Sequence, residues 1–324
     1  MKKIGVAVIG PGAGKNGFGL GAYIIQEVTQ HANATLLAVG GTTKESIQRS
    51  LSAENKEVAI YTTHNMEALF VRSDIDLVII SSPAISHLEC IRLGINHNKH
   101  LLVEKPIVEL GGNEDSTRLA EMKTLFATAK SKNLFLSTNC QRAFIPCFLG
   151  LEKVKESVVV EMGIGKKQTA ISREDFLPLT ISHPISILVK LGLIKVEAYH
   201  IESIASHSVD FENFIQFNFA YNKVKGAVIL KQYDTDCAAD INLMVDDAPP
   251  TRAVAERVKE HYHTKYETYN GNVYGKDLLS NAIQLMIDAV SEAGVEPVIN
   301  NMESEAIFRI QEFFYTAYLN QANR

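Results

Sequence analysis

Three stretches of the 324-residue chain join residue types that can do chemistry to spacings that make sense of them. The first is Gly5-Val-Ala-Val-Ile-Gly10-Pro-Gly12-Ala-Gly14-Lys-Asn-Gly17, an apolar β-branched run that passes straight into glycines. A dinucleotide pyrophosphate needs such a turn, because glycine lets the backbone come close to the phosphates while a following helix points its N-terminus at them. Two alignments of the fingerprint fit: Gly10-x-Gly12 with an insertion before the helix, or Gly12-x-Gly14-x-x-Gly17. The second stretch is Ser81-Ser82-Pro83 with His87 further on, and the third is Glu104-Lys105-Pro106. Both follow short Val/Ile/Leu runs, at the carboxyl ends of strands where ligands bind in open parallel sheets.

A fourth stretch bears on which dinucleotide is held. After Val39 the chain reads Gly40-Gly41-Thr42-Thr43-Lys44. An acidic residue at the end of this strand would accept from a ribose 2'-hydroxyl and favour NAD. None is present, whereas Thr42, Thr43 and Lys44 offer two hydroxyls and an ammonium to a 2'-phosphate. The expected cofactor is NADP(H) in preference to NAD(H).

These residues need a frame. Short buried-type runs at Ile4 to Ile9, Thr35 to Val39, Asp76 to Ile80, His100 to Val103 and Asn133 to Ser137 alternate with helical spacing at Ala22 to Thr29, Lys44 to Leu51, Ile85 to Asn96 and Asp115 to Ser131. That repeated β-α-β pattern predicts a Rossmann-like, doubly wound parallel sheet over residues 1–140. From residue 141 the runs lengthen and alternate: Ser157 to Glu161, Ala198 to Ile204, Phe214 to Tyr221 and Ala227 to Gln232, with helices at Leu278 to Ala293 and Glu303 to Asn320. Residues 141–324 are expected to form an α+β domain with an open, mainly antiparallel sheet that binds substrate and supports oligomerisation. The polar segment Asp246 to Asn272, with Pro249-Pro250, reads as a loop or excursion.

Composition narrows the partners. With 32 Lys+Arg against 37 Asp+Glu the net charge is −5, which gives no field for nucleic acid. No apolar run suits a membrane span, and the four cysteines are too scattered for a metal knuckle or a disulfide scaffold. A reduced, cytoplasmic setting is expected. His261 and His263 stand beside tyrosines rather than in a ligand set, so no metal is expected.

Glu104-Lys105-Pro106, together with Ser82-Pro83-Ala-Ile-Ser-His87 and the closing Lys276-Asp-Leu-Leu-Ser-Asn-Ala-Ile and Gly294-Val-Glu-Pro297, resembles the Gfo/Idh/MocA oxidoreductases over nearly the whole chain. The family is named for glucose-fructose oxidoreductase and inositol dehydrogenase. The resemblance implies NAD(P)-dependent hydride transfer to or from a CH–OH carbon of a sugar, polyol or related carbonyl compound bound between the two domains. It makes Lys105 an acid/base near nicotinamide and substrate oxygen, with Glu104 as its orienting partner. Gly10, Gly12, Gly14, Gly17, Thr42, Thr43, Lys44, Ser82, Pro83, His87, Glu104 and Lys105 then serve the cofactor. The family's D-x-x-x-H element falls on Leu179-Thr-Ile-Ser-His183. His183 matches the histidine, as a catalytic and substrate-binding residue, but Leu179 stands in the aspartate's place, which weakens the proton relay. Arg142, in an N-x-R-like turn after Asn139, is a substrate-binding candidate through its planar fork or a partner of an acid at the domain junction. Asp175, Tyr233, Tyr262, Tyr266 and Tyr269 are further polar candidates. A homodimer or homotetramer is expected by analogy.

A different class is open as well. Some relatives keep the dinucleotide site without catalysis, and the stretch Lys44 to Leu51 resembles that of a fungal galactose-regulon co-repressor. On that alternative the chain is an inactive NADP-binding sensor. Retention of Lys105 favours the enzyme.

Overall fold

The computed structural model describes residues 3–12, 19–52, 57–111, 115–151, 153–165, 172–209, 212–233, 238–258, 261–275 and 277–322. The chain separates into two compact units. One consists of residues 1–109, 114–139 and 279–304, the other of 110–113, 140–278 and 305–324.

The first unit is built on six parallel strands: β1 (Ile4–Ile9), β2 (Ala34–Gly41), β3 (Ala59–Thr62), β4 (Leu77–Ile80), β5 (His100–Glu104) and β6 (Leu136–Asn139). Their order is β3-β2-β1-β4-β5-β6. The strands read as apolar runs because both faces are covered, and β1 is buried at every position. Helices α1 (Leu20–Gln30), α2 (Lys44–Gln48), α3 (Met66–Val71), α4 (His87–Asn96) and α5 (Asp115–Ser131) connect them. The strand order reverses between β1 and β4, so the carboxyl ends of those strands flank the crevice in which such sheets hold ligands.

The second unit carries α6 (Phe144–Phe148), β7 (Ser157–Gly165), α7 (Arg173–Thr180), α8 (Ser182–Lys190), β8 (Tyr199–Val209), β9 (Glu212–Tyr221), β10 (Val224–Tyr233), β11 (Asp240–Val245), β12 (Thr251–Val258), β13 (His261–Thr268) and β14 (Gly271–Gly275). Its eight-stranded sheet runs β14-β13-β12-β11-β7-β10-β9-β8. Only the β7–β10 pair is parallel. One face is apolar, with Val158, Val160, Leu230, Ile241, Leu243 and Phe217 buried. The other is polar and cross-linked, for example by Glu161, which accepts from Lys231 at 2.7 Å and from Asn242 at 3.1 Å. Two helices complete the chain: α9 (Leu278–Ser291) and α10 (Asn301–Ala322). Phe314 of α10 meets Tyr199, Phe217 and Phe219 edge-on or tilted on the apolar face.

Two expectations are revised. Segment 246–272 is not a loop but holds β12, β13 and the start of β14. Its alternation is masked by charge: Arg252, Lys265 and Glu267 line the polar face as ion pairs, while Ala253 and Tyr266 are buried on the other. Secondly, residues 279–304 belong to the first unit rather than to a domain 141–324. Ile283, Met286 and Ile287 of α9 pack into one core with Ile4, Val6, Ile24 and Val28. Asn301 then bonds the free edge of β6, accepting from Leu136 N and donating to Leu134 O, both at 2.7 Å.

Candidate functional site

The turn after β1 is shaped by what its glycines allow. Gly10 adopts φ +81°, and a Cβ on it would stand 2.4 Å from the Ser82 nitrogen. The β1 turn and the turn after β4 are therefore in backbone contact, fixed by Ser81, whose hydroxyl donates to Gly10 O at 2.8 Å. Gly21, in the first turn of α1, would place a Cβ 2.3 Å from Gly10 O, so it serves as the glycine that lets helix and strand pack closely. This favours the first alignment, Gly10-x-Gly12 with an insertion. Gly21 was not anticipated, although a glycine opening a helix after a glycine-rich turn is a readable signal. Gly14 and Gly17 lie outside the described residues.

A cleft of about 770 Å³ opens at these strand ends, within the size range of small-molecule sites. Gly10, Gly12, Thr42, Ser82 and Pro83, all cofactor candidates from the sequence, line it. Among the described residues a Cβ on Gly12 would meet nothing nearer than 3.6 Å, so there the turn offers open backbone, as a diphosphate requires. Met66, Ile85 and Leu93 give an apolar wall that suits a purine ring, and Ser46, His64, Glu67 and Glu89 add polar groups that sequence reasoning missed. Cys90 also lines it, its thiol pushed up to about 11 by burial and so kept protonated.

Thr43 and Lys44 are not among the lining residues. The Thr43 hydroxyl accepts from Ser46 N at 3.1 Å as the N-cap of α2, and Lys44 is exposed on the next position. His87 is also set apart from the cleft wall. Its ring is buried, with Nε2 2.7 Å from Ser82 O and Nδ1 3.0 Å from Pro106 O. It ties the turn after β4 to the turn after β5, and desolvation lowers its pKa against those carbonyls.

Glu104 ends β5, buried, opposite Asn139 in the β5–β6 register. Its Oε1 accepts from Asn139 Nδ2 and its Oε2 from the Lys105 amide at 3.3 Å. Burial raises its carboxyl above the usual range, with the Lys105 ammonium and Asn139 pulling the other way. Lys105 is half-buried directly beside it, before a cis peptide to Pro106. The pair amounts to a lysine whose charge acts on a clamped, poorly solvated carboxyl, a combination suited to proton transfer at a substrate oxygen.

In the second unit, His183 is buried on α8, the helix that packs against the short 3-10 turn Gln141–Ala143 carrying Arg142. Two sequence candidates are thus brought onto touching elements. Leu179 is 39% exposed near the end of α7. Asp175 caps α7 through Ser172, which donates to its Oδ2 at 2.7 Å. Tyr269 is exposed in the β13–β14 turn, and Tyr266 is fully buried, stacked on Phe148 at 4.1 Å. Tyr233 packs over Gly163 beside Asp240. The side chain of Tyr262 lies outside the described residues. Among the described residues no group of three His, Cys, Asp or Glu is gathered as a metal would need, and no helix is long and apolar enough to cross a membrane.

A parallel sheet in this strand order, with a glycine turn opening on a cleft, defines the class: a dinucleotide-binding Rossmann protein with a second, mainly antiparallel sheet. Residues 4–140 match the model of the oxidoreductase family with an NAD-binding Rossmann fold known as GFO_IDH_MocA. Over that stretch the chain is similar to the NAD-binding domain of the Gfo/Idh/MocA oxidoreductases. It is 35% identical over 116 residues to an uncharacterised oxidoreductase of Schizosaccharomyces pombe, covering 34% of this chain and 29% of that one. It is also 35% identical over 98 residues to the uncharacterised oxidoreductase YhhX of Escherichia coli, covering 30% and 26%. The matched stretch thus spans less than a third of either relative. In fold it is similar to UDP-N-acetylglucosamine 3-dehydrogenase from Acidithiobacillus ferrooxidans, with TM-score 0.70, 14% identity and 98% of each chain covered. It is likewise similar to aldose-aldose oxidoreductase from Caulobacter crescentus, with TM-score 0.68, 15% identity and 99% and 98% covered.

Proposed function

We propose that the chain is a nicotinamide-dependent oxidoreductase acting on a CH–OH carbon of a sugar, polyol or related compound, with NADP(H) in preference to NAD(H). The observation that carries the reading is Lys105 set against a buried Glu104 that Asn139 holds in place. Open backbone at Gly12 and a cleft of matching size support the dinucleotide, and the β2 end at Gly41-Thr42, free of acid, supports the 2'-phosphate. The sugar-acting names of the structural neighbours support the substrate class.

Gly10, Gly12, Ser82 and Pro83 would hold the diphosphate side of the dinucleotide, and Thr42 and Ser46 its adenosine side. When bound, the nicotinamide supplies the carbon that accepts or returns hydride. In the oxidising direction the Lys105 amine takes the substrate hydroxyl proton as the C–H bond releases hydride with its electron pair, leaving C=O; reduction runs the same transfers backwards. Glu104 steadies the ammonium so formed. His183 is the second acid/base of the reading.

Lys105→Met tests it. Turnover should fall about 10³-fold, the scale of a lost general acid/base, while calorimetric affinity for NADPH stays within about twofold. Intact turnover would remove Lys105 from the chemistry. Tight NADPH binding by wild-type protein without turnover on any carbonyl compound would instead indicate a cofactor sensor. The same titration with NADH checks the NADP(H) preference.

A further inference from the structure

Arg142 stands on the turn Gln141–Ala143, half-buried, where that turn meets α8. Among the described residues no carboxylate is hydrogen-bonded to its guanidinium. Among those residues Asp240 is the acidic neighbour in electrostatic reach; its Oδ2 accepts from Arg252 Nε at 2.7 Å, while its Oδ1 is buried without a hydrogen-bond partner and does not bond the guanidinium. Neither the turn, Gln-Arg-Ala, nor α8, Ser-His-Pro-Ile-Ser-Ile-Leu-Val-Lys, contains an acid. The protein around Arg142 withdraws enough water to pull its pKa down to about 10, with Asp240 opposing only in part. A guanidinium is among the last groups a fold leaves in such surroundings without an anion.

Two neighbours on the same elements are also incomplete. Gln141 Oε1 and Ser182 Oγ are buried with no hydrogen-bond partner among the described residues. Buried polar atoms are nearly always satisfied, so atoms left over on the turn and helix that carry Arg142 are places for a ligand's own polar groups. Gln141 Oε1 can only accept, which calls for a hydroxyl; Ser182 Oγ can do either.

We propose that the substrate is an acid: a hydroxy- or oxo-carboxylate whose carboxylate is held by the fork of Arg142 and whose hydroxyls are read by Gln141 and Ser182. This rests on the oxidoreductase reading and narrows its substrate from neutral sugars and polyols to their acids. One guanidinium matches one carboxylate in charge and in planar geometry. A phosphate dianion would call for a second cation, and the lysine of α8, Lys190, lies at the far end of the helix, about two turns from Ser182.

The experiment is calorimetric titration of the full chain, with and without saturating NADP+, with D-gluconate and D-galacturonate and with their neutral matches D-glucose and D-galactose. At least one acid should bind about 30-fold or more tightly than its neutral match. Arg142→Gln should weaken that acid about 100-fold, and Arg142→Lys, which keeps the charge but not the fork, should restore only part. Both variants should keep wild-type affinity for NADPH and a wild-type melting temperature, which shows that the fold is intact. Equal binding of acid and neutral sugar, no binding of either acid, inorganic phosphate displacing the acid, or an acid affinity indifferent to Arg142→Gln would each overturn the proposal. Failure of the wild type to bind NADPH would overturn the oxidoreductase reading instead, and the titrations without NADP+ would still decide whether Arg142 binds acids.

Discussion

In the first unit the candidate site is made of main chain; in the second it is made of side chains. Gly10 and Gly21 serve through the side chains they lack, by bringing two turns and a helix into backbone contact, while Gly12 leaves its backbone open. Arg142, His183, Gln141 and Ser182 would act through polar side chains on two packed elements, the last three with buried polar atoms. A dinucleotide's diphosphate is common to many enzymes and can be met by backbone amides, whereas a substrate is particular and needs chosen side chains. Substitution should therefore damage the two regions differently: the first through sterics and strain, the second through charge and hydrogen bonding.

The largest expected effect follows from that contrast. Gly10→Ala forces a Cβ against the Ser82 backbone at a φ that alanine resists, and should cost about 3 kcal/mol or more of stability together with nearly all NADPH binding. Gly12→Ala meets nothing nearer than 3.6 Å among the described residues but must hold φ +39°, so it should cost about 1 kcal/mol, less than Gly10→Ala, while NADPH affinity falls because the added methyl occupies the cradle. Thermal denaturation alongside NADPH titration separates the two. Equal losses of stability in both variants would show that the turn is a purely structural glycine element and would break the comparison.

What was legible in the sequence divides along the same line. The glycine turn and the apolar strands β1, β4 and β5 announce themselves because local residues fix them. β3 and α3 went unread, since Ala-Ile-Tyr-Thr is half-buried and Met66–Val71 is a short helix. Strands β12 and β13 were hidden because Arg252, Lys265 and Glu267 pair across strands, an arrangement that spacing along one strand does not reveal. Thr43 and Lys44 looked like phosphate ligands, but the first is committed to capping α2. His87 looked like a cofactor contact and proves to be a tie between two turns. Arg142 and His183 were found only through resemblance. That they share a packed corner is a property of tertiary structure.

Glu104→Gln sharpens the comparison at an intermediate size, because Glu104 is a side chain doing chemistry within the backbone-built unit. Its carboxyl is raised by burial, so folding favours the protonated form. The stability it withholds is absent below the ordinary carboxylate range, grows as pH rises through that range to the higher folded value, and is constant above it. Glu104→Gln keeps an oxygen for Asn139 and removes the charge. It should match wild type in stability near pH 4 and exceed it by about 1 kcal/mol at pH 8, while turnover falls about tenfold or more. Denaturant unfolding at the two pH values with steady-state rates checks both. Lower stability at pH 8 would mean that the Lys105 attraction outweighs desolvation, and Glu104 would then be a structural ion-pair partner.

The smallest effect asks whether every partnerless polar atom in the second unit is functional. Tyr266 is fully buried, its hydroxyl without a hydrogen-bond partner among the described residues, and burial pushes its pKa far above the ordinary phenol value. Unlike Gln141 and Ser182 it sits on β13, with its ring stacked on Phe148 of α6. Tyr266→Phe keeps the ring and its stacking and deletes an oxygen that nothing satisfies. Stability should therefore hold or rise by about 0.5–1 kcal/mol with turnover unchanged. Ser182→Ala also deletes a partnerless hydroxyl, yet should weaken acid binding severalfold at similar stability. Loss of turnover in Tyr266→Phe would extend the substrate site onto the far strands of the sheet, and loss of stability would point to a bound water that satisfies the phenol.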